Sequence, residues 1–246
     1  MRNFRIVLQY EGTKYQGWQK QESTGNTIQG KLESILTKMA GTQIEVHGAG
    51  RTDAGVHAKG QVAHFKMDTD KSETEIMQYI NKYLPEDIAV VSIKEAAERF
   101  HARLNATGKI YQYRIINSDI PHVFDRRYAH VVEEKLDLDK MREAADILIG
   151  THDYKAFTST KKGKKSTVRT IDSIEIKKDS NQILLTYKGD GFLYHMVRIL
   201  TGTLIEVGLY ERSVESVKEA LDSLERQNAG FLAPAKGLTL QEVFYH

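Results

Sequence analysis

Apolar residues recur along this chain with two different periods. The order in which those periods follow one another limits the fold more than any other feature. Phe4, Ile6, Leu8 and Tyr10 alternate, the period-two signature of a half-buried strand. Ile28, Leu32, Ile35 and Met39 then fall at helical spacing behind Thr27, an N-cap residue type. Strand patterns follow at 43–47 and 61–65. Ser72 and Glu75 form a capping box that opens a helix with Ile76, Tyr79, Ile80 and Tyr83 on one stripe; Pro85 stops it, and 88–93 reads as a strand. The succession then restarts. A strand over 109–117 places Tyr111, Tyr113 and Ile115 on one face, and Leu138, Met141, Ala145 and Leu148 make a helix ending at Gly150. Strands at 167–176 and 182–187 lead to a helix over 192–207 that is apolar nearly all round. Ser213 caps another helix, with Val214, Val217, Leu221 and Leu224 buried, and 238–245 closes as a strand.

Strands are often consecutive, which disfavours a doubly wound parallel sheet. The pattern predicts an α+β fold: two similar halves, 1–105 and 106–246, with a central, mainly antiparallel sheet flanked by helices and a cleft between the halves. The length of 246 residues accommodates two domains of ordinary size. No stretch is long and apolar enough to span a bilayer, and MRNFRIVLQY lacks the apolar core of a signal peptide, so a cytoplasmic protein is expected. The absence of cysteine removes disulfides, thiol nucleophiles, thiolate metal sites and iron–sulfur clusters together. The histidines His47, His57, His64, His101 and His195 show no metal-ligand spacing, and no metal is expected.

The net charge of +2 is too mild to identify a nucleic-acid partner. Local clusters say more. Lys161, Lys162, Lys164, Lys165 and Arg169 fall within nine residues, and Arg126 and Arg127 form a second pair. Such runs are either solvated loops or phosphate-contacting arms.

GAGRTDAGVHA, from Gly48 to Ala58, nearly matches a dinucleotide-binding glycine loop, but its third glycine position is Asp53 and a strand pattern follows where a helix is required. Asp53 is thus either a turn aspartate or a carboxylate presented for chemistry, with Arg51 charged beside it and glycines at 48, 50 and 55 leaving room for a ligand. Arg198 sits among Met196, Val197, Ile199 and Leu200. A guanidinium in such surroundings snorkels to water or needs a partner, and Asp53 is a candidate. Tyr111 and Tyr113 are core residues or a platform on which a base stacks. Trp18 reads as core or as a loop anchor. These residues alone support RNA binding and leave RNA modification open; the competing readings are a catalytically silent RNA-binding module and a metal-dependent hydrolase built on the histidines.

The chain closely resembles the tRNA pseudouridine synthase A family along its whole length. The resemblance is carried by YEGTKYQGWQ (10–19), GAGRTDAGVHA (48–58), FHAR followed by NATGKIYQYRI (100–115), THDYKAFTS (151–159), VRTI (168–171), GFLYHMVRILTGTL (191–204) and LAPAKGLTL (232–240). It implies that Asp53 is the catalytic aspartate, that Tyr111 packs against the target base, that Arg198 pairs with the aspartate, and that Arg51 helps hold RNA or the flipped nucleotide. It further implies a homodimer, a transfer RNA substrate and no cofactor, with uridines at positions 38, 39 and 40 of the anticodon stem-loop isomerised to pseudouridine. The chain departs from the family at Thr158, where arginine often follows THDYKAF; the lysine run at 161–165 is the compensating candidate for that RNA contact.

Overall fold

The computed structural model describes residues 1–160 and 166–246. In chain order the elements are β1 (Arg2–Tyr10), α1 (Ile28–Ala40), β2 (Val46–Gly48), β3 (His57–Met67), α2 (Glu73–Tyr83), β4 (Ile88–Ala96), β5 (Ala106–Asn117), β6 (His130–Val132), α3 (Leu138–Ile147), β7 (Gly150–Asp153), β8 (Val168–Asp179), β9 (Gln182–Gly189), α4 (Met196–Gly208), α5 (Glu215–Ser223) and β10 (Leu238–Tyr245). They gather into two compact units. One is Met1–Thr107 together with Thr239–His246; the other is Gly108–Leu238. Sheets that are mostly antiparallel, flanked by helices, make this an α+β protein, as the succession of periods predicts.

In the first unit β1 pairs antiparallel with β3 on one side and β4 on the other. The far edge of β3 is shared. β2 pairs with it antiparallel near Phe65, and β10 pairs with it parallel at His57 and Ala58. The alternation in β1 buries Phe4, Ile6, Leu8 and Tyr10, and Phe4 stacks on its cross-strand partner Phe65 with ring centroids 5.5 Å apart. Each such side chain, fully buried, contributes about 1.5–3 kcal/mol. The caps follow the sequence signals. Thr27 accepts the Gly30 N–H at the start of α1, Gly41 ends it at φ 71°, and Ser72 and Glu75 form the reciprocal capping box of α2. β2 covers Val46–Gly48 rather than 43–47. The N–H groups of Ile44 and Val46 are taken by Thr37 and Glu33 of α1, so the preceding backbone is tied to the helix instead of a ladder.

In the second unit β5, β9, β8 and β7 follow one another antiparallel, and β6 lies parallel on β5. The short strands β6 and β7 leave no periodic trace in the sequence. Helix α4 begins at Met196, four residues later than the apolar pattern predicts, because His195 adopts a left-handed backbone at φ 65° and the chain before it is not helical. Once begun, α4 is buried nearly all round. A Cβ on its Gly202 would lie 2.0 Å from the Phe231 carbonyl, so only glycine admits that crossing. Among the described residues no helix is long and apolar enough to cross a membrane.

Candidate active site

The loop that carries Asp53 is held from behind by the motif YEGTKYQGWQ. The Trp18 N–H donates to the Thr52 carbonyl at 3.0 Å, and the Gly55 N–H donates to the Tyr15 carbonyl at 3.3 Å. The Val56 N–H donates to the Asp53 carbonyl at 3.1 Å, closing a turn in which Gly55 takes φ 79°. Contact between the two loops is backbone on backbone. A Cβ on Gly12 would lie 1.9 Å from the Val56 carbonyl oxygen, and one on Gly17, itself at φ 89°, would lie 2.6 Å from that of Thr52. The turn is also fastened to the sheet. Buried Tyr10 of β1 shares a 2.8 Å hydrogen bond with the Thr52 hydroxyl, and Gln61 of β3 donates to the Gly50 carbonyl at 3.1 Å. Burial pushes the Tyr10 phenol up to about 12, so it stays a protonated hydrogen-bonding group. Asp53 is half-buried on this frame and Arg51 is exposed.

Two glycines of the loop serve packing rather than ligand access. A Cβ on Gly48 would meet the ring of Trp18 at 2.5 Å, and Gly55 supplies the positive φ of the turn. Trp18, 2% exposed, is the loop anchor that the sequence suggests. His57 is likewise absorbed into this frame: it is buried, and its Nδ1 accepts the Gly12 N–H at 3.0 Å.

In the second unit Tyr111 and Tyr113 stand on one face of β5 and part company in their surroundings. Tyr113 is fully buried and donates to the Pro234 carbonyl at 2.8 Å, which makes it a core residue. Tyr111 keeps 7% of its surface and meets Phe192 edge-on, centroids 5.3 Å apart. Arg198, half-buried in the first turn of α4, donates from Nε to the Ala233 carbonyl at 2.7 Å. The segment 232–237 is therefore the fixture of both Tyr113 and Arg198, a role that LAPAKG does not disclose as sequence. Arg169 of β8 is half-buried beside Gly191, its Nη1 donating to the carbonyls of Ser166 and Val168. Arg126 and Arg127 are exposed in the loop before β6. Lys161, Lys162, Lys164 and Lys165 lie outside the described residues.

These motifs have counterparts among known proteins. A family model described as tRNA pseudouridine synthase matches residues 6–105 and 144–246. The chain belongs to the tRNA pseudouridine synthase family. Relatives over its full length agree: a "tRNA pseudouridine synthase A" of Bacillus sp. (strain KSM-64) is 46% identical over 100% of both chains, and a "tRNA pseudouridine synthase A 1" of Clostridium tetani (strain Massachusetts / E88) is 45% identical over the same shares. A "tRNA pseudouridine synthase A 2" of Bacillus cereus (strain ZK / E33L) is 42% identical over 99% of both. A chain of a solved structure titled "Crystal Structure of a Cbf5-Nop10-Gar1 Complex" aligns over 96% of this chain and 48% of its own with a TM-score of 0.38 and 11% identity, too distant to bear on either fold or function.

Three further histidines of this synthase-family chain group together. His47, His64 and His101 cluster in the first unit with ring centroids 4.6 to 5.6 Å apart. Two of their nitrogens are already committed: Nδ1 of His64 accepts the Ala102 N–H, and Nδ1 of His101 accepts the N–H groups of Arg103 and Leu104. Among the described residues no group of three or more His, Cys, Asp or Glu side chains is placed to hold a metal ion.

Proposed function

We propose that this protein isomerises uridine to pseudouridine in transfer RNA, at positions 38, 39 and 40 of the anticodon stem-loop, with Asp53 as its catalytic carboxylate. The observation that carries the reading is the full-length identity of 46% to a tRNA pseudouridine synthase A in a chain whose R-T-D-A-G-V-H turn presents a half-buried aspartate on a doubly fastened loop. The first half, 1–105, carries the aspartate loop, and the second half, 106–246, carries the Tyr111 strand and the Arg198 helix. The protein works in the cytoplasm and as a homodimer.

The reaction breaks the bond between N1 of uracil and C1′ of ribose, turns the base, and joins C1′ to C5. The hydrogen on C5 leaves to solvent and N1 takes up a proton, so nothing is oxidised and no redox cofactor is needed. One ionised carboxylate suffices. It attacks C1′ as in a retaining glycosidase, adds to C6 of the ring, or removes the C2′ proton. A stacked uridine is out of reach of any of these, so it is first flipped out, at a cost of a few kcal/mol. Tyr111 packs against the extruded base, Arg198 orients the carboxylate, and Arg51 holds the flipped nucleotide or its backbone. Lys161, Lys162, Lys164, Lys165 and Arg169 grip phosphates, which positions the RNA without reading its sequence.

The test is tritium release from tRNA labelled at uracil C5. The wild-type protein releases tritium from the anticodon stem-loop, while Asp53→Asn binds tRNA within a few-fold of wild type and releases none. Turnover by Asp53→Asn would end this reading, and tRNA binding and cellular phenotype both unchanged in Asp53→Asn would favour the silent RNA-binding module.

A further inference from the structure

Between β9 and α4 the chain spends six residues, Asp190 to His195, on something other than secondary structure. His195 holds φ 65°, a backbone region that costs a non-glycine residue about 1–3 kcal/mol unless its surroundings enforce it. Here they do. The Thr158 hydroxyl and the Ser159 N–H both donate to the Tyr194 carbonyl, at 2.8 and 3.3 Å, and His195 Nδ1 shares a 2.9 Å hydrogen bond with the Ser159 hydroxyl. The outcome is a pair of adjacent rings in parallel contact: Tyr194 and His195 stack with centroids 3.7 Å apart and planes 27° apart. One face of the tyrosine is covered by imidazole, and the residue remains 54% exposed. The same stretch sends Phe192 onto the edge of Tyr111 and leads into α4, which begins two residues before Arg198. Arg169 lies beside Gly191.

A buried tyrosine needs such packing; an exposed one gains little from a strained, three-point mount. From this the geometry points to Tyr194, backed by His195, as a fixed stacking platform for an unpaired base that neighbours the target uridine in the RNA strand, with Arg169 beside it for the strand's phosphate. The inference rests on the proposed uridine isomerisation and deepens it: it adds a second base-binding position next to the one taken by Tyr111. Stacking of this kind tolerates any base, because every base has a π-face, and a backed ring loses no freedom when the base arrives.

The experiment compares wild-type protein with Tyr194→Ala on three tRNAs: an intact one, one abasic on the 5′ side of the target uridine and one abasic on the 3′ side. Tritium release by the wild type from intact tRNA is the control, and its failure counts against the isomerase reading, not this one. With the control active, Tyr194→Ala raises KM for intact tRNA about 5- to 100-fold at nearly unchanged kcat. One of the two abasic tRNAs raises the wild-type KM by a similar factor and leaves that of Tyr194→Ala unmoved, because the missing base and the missing ring are the same interaction. Tyr194→Trp keeps the wild-type KM, and its indole fluorescence is quenched by intact tRNA. An unaltered KM in Tyr194→Ala, factors that multiply independently, a loss confined to kcat, or an unquenched indole in Tyr194→Trp would each overturn the assignment. The last measurement decides the matter if Tyr194→Ala does not fold.

Discussion

A single hydroxyl shows how the candidate site depends on residues that never meet substrate. Thr52 precedes Asp53, is 6% exposed, and is tied by its side chain to Tyr10 and by its carbonyl to the Trp18 N–H. Thr52→Val keeps the shape and removes the hydroxyl. It is expected to cost about 1–3 kcal/mol in chemical denaturation, since the buried Tyr10 oxygen loses its 2.8 Å partner, and to lower kcat more than KM, since the carboxylate next to it loses its fixed position. The sequence discloses Asp53, Tyr111 and Arg198 as candidates because their motifs are long and charged or aromatic. It cannot disclose Tyr10, Gln61 and Ala233, whose roles arise only when distant segments meet: one carbonyl of LAPAKG carries no signal until Arg198 reaches it. Nor does it show that Gly48 is filled by Trp18 rather than left open for a ligand.

Among elements, the turns between strands carry more of the design than the strands do. Gly12 lies one carbonyl away from the aspartate loop, and Gly12→Ala forces the two backbones apart. Overpacking of this kind costs about 1–3 kcal/mol, and here it also displaces Val56 and the turn that ends on it. A melting temperature lowered by several degrees together with an activity loss greater than the stability loss predicts is the expected result. Strand β3 also carries the pH response of the fold, through its histidine cluster. Burial, then the charges of His101 and His47 and of Lys66, push His64 down to about 4, and burial also lowers His101. Both imidazoles are therefore neutral in the fold at pH values where the unfolded chain, with its ordinary value near 6.5, takes up protons. Stability from His64 is complete above about 6.5 and is lost as pH falls toward 4, on the order of 2 kcal/mol by pH 5. Urea midpoints at pH 7.5 and 5 measure this, and His64→Gln flattens the difference. Elements with long periods are readable from sequence, down to the capping box of α2. The start of α4 is not, because a left-handed residue interrupts an apolar run without altering its composition.

For the whole molecule the charge balance sets the terms of binding. A net +2 leaves RNA affinity to local clusters, so tRNA binding is expected to fall steeply with salt. Replacing Lys161, Lys162, Lys164 and Lys165 by serine lowers the slope of log K against log salt by about one for each phosphate left unneutralised. Filter binding from about 50 to 200 mM salt tests it; kcat is expected to stay near wild type. The two-part succession of strands and helices is readable in the sequence. The affiliation of the closing strand is not, for a period of two identifies a strand and says nothing of its neighbour. That strand pairs with β3 through Thr239 and Leu240, so the earlier-made unit is discontinuous in the chain. During synthesis the edge of β3 at His57, four residues from Asp53, waits uncovered while more than a hundred further residues leave the ribosome. The half that is translated first thus gains its last β3 pairing, four residues from Asp53, only after β10 has emerged.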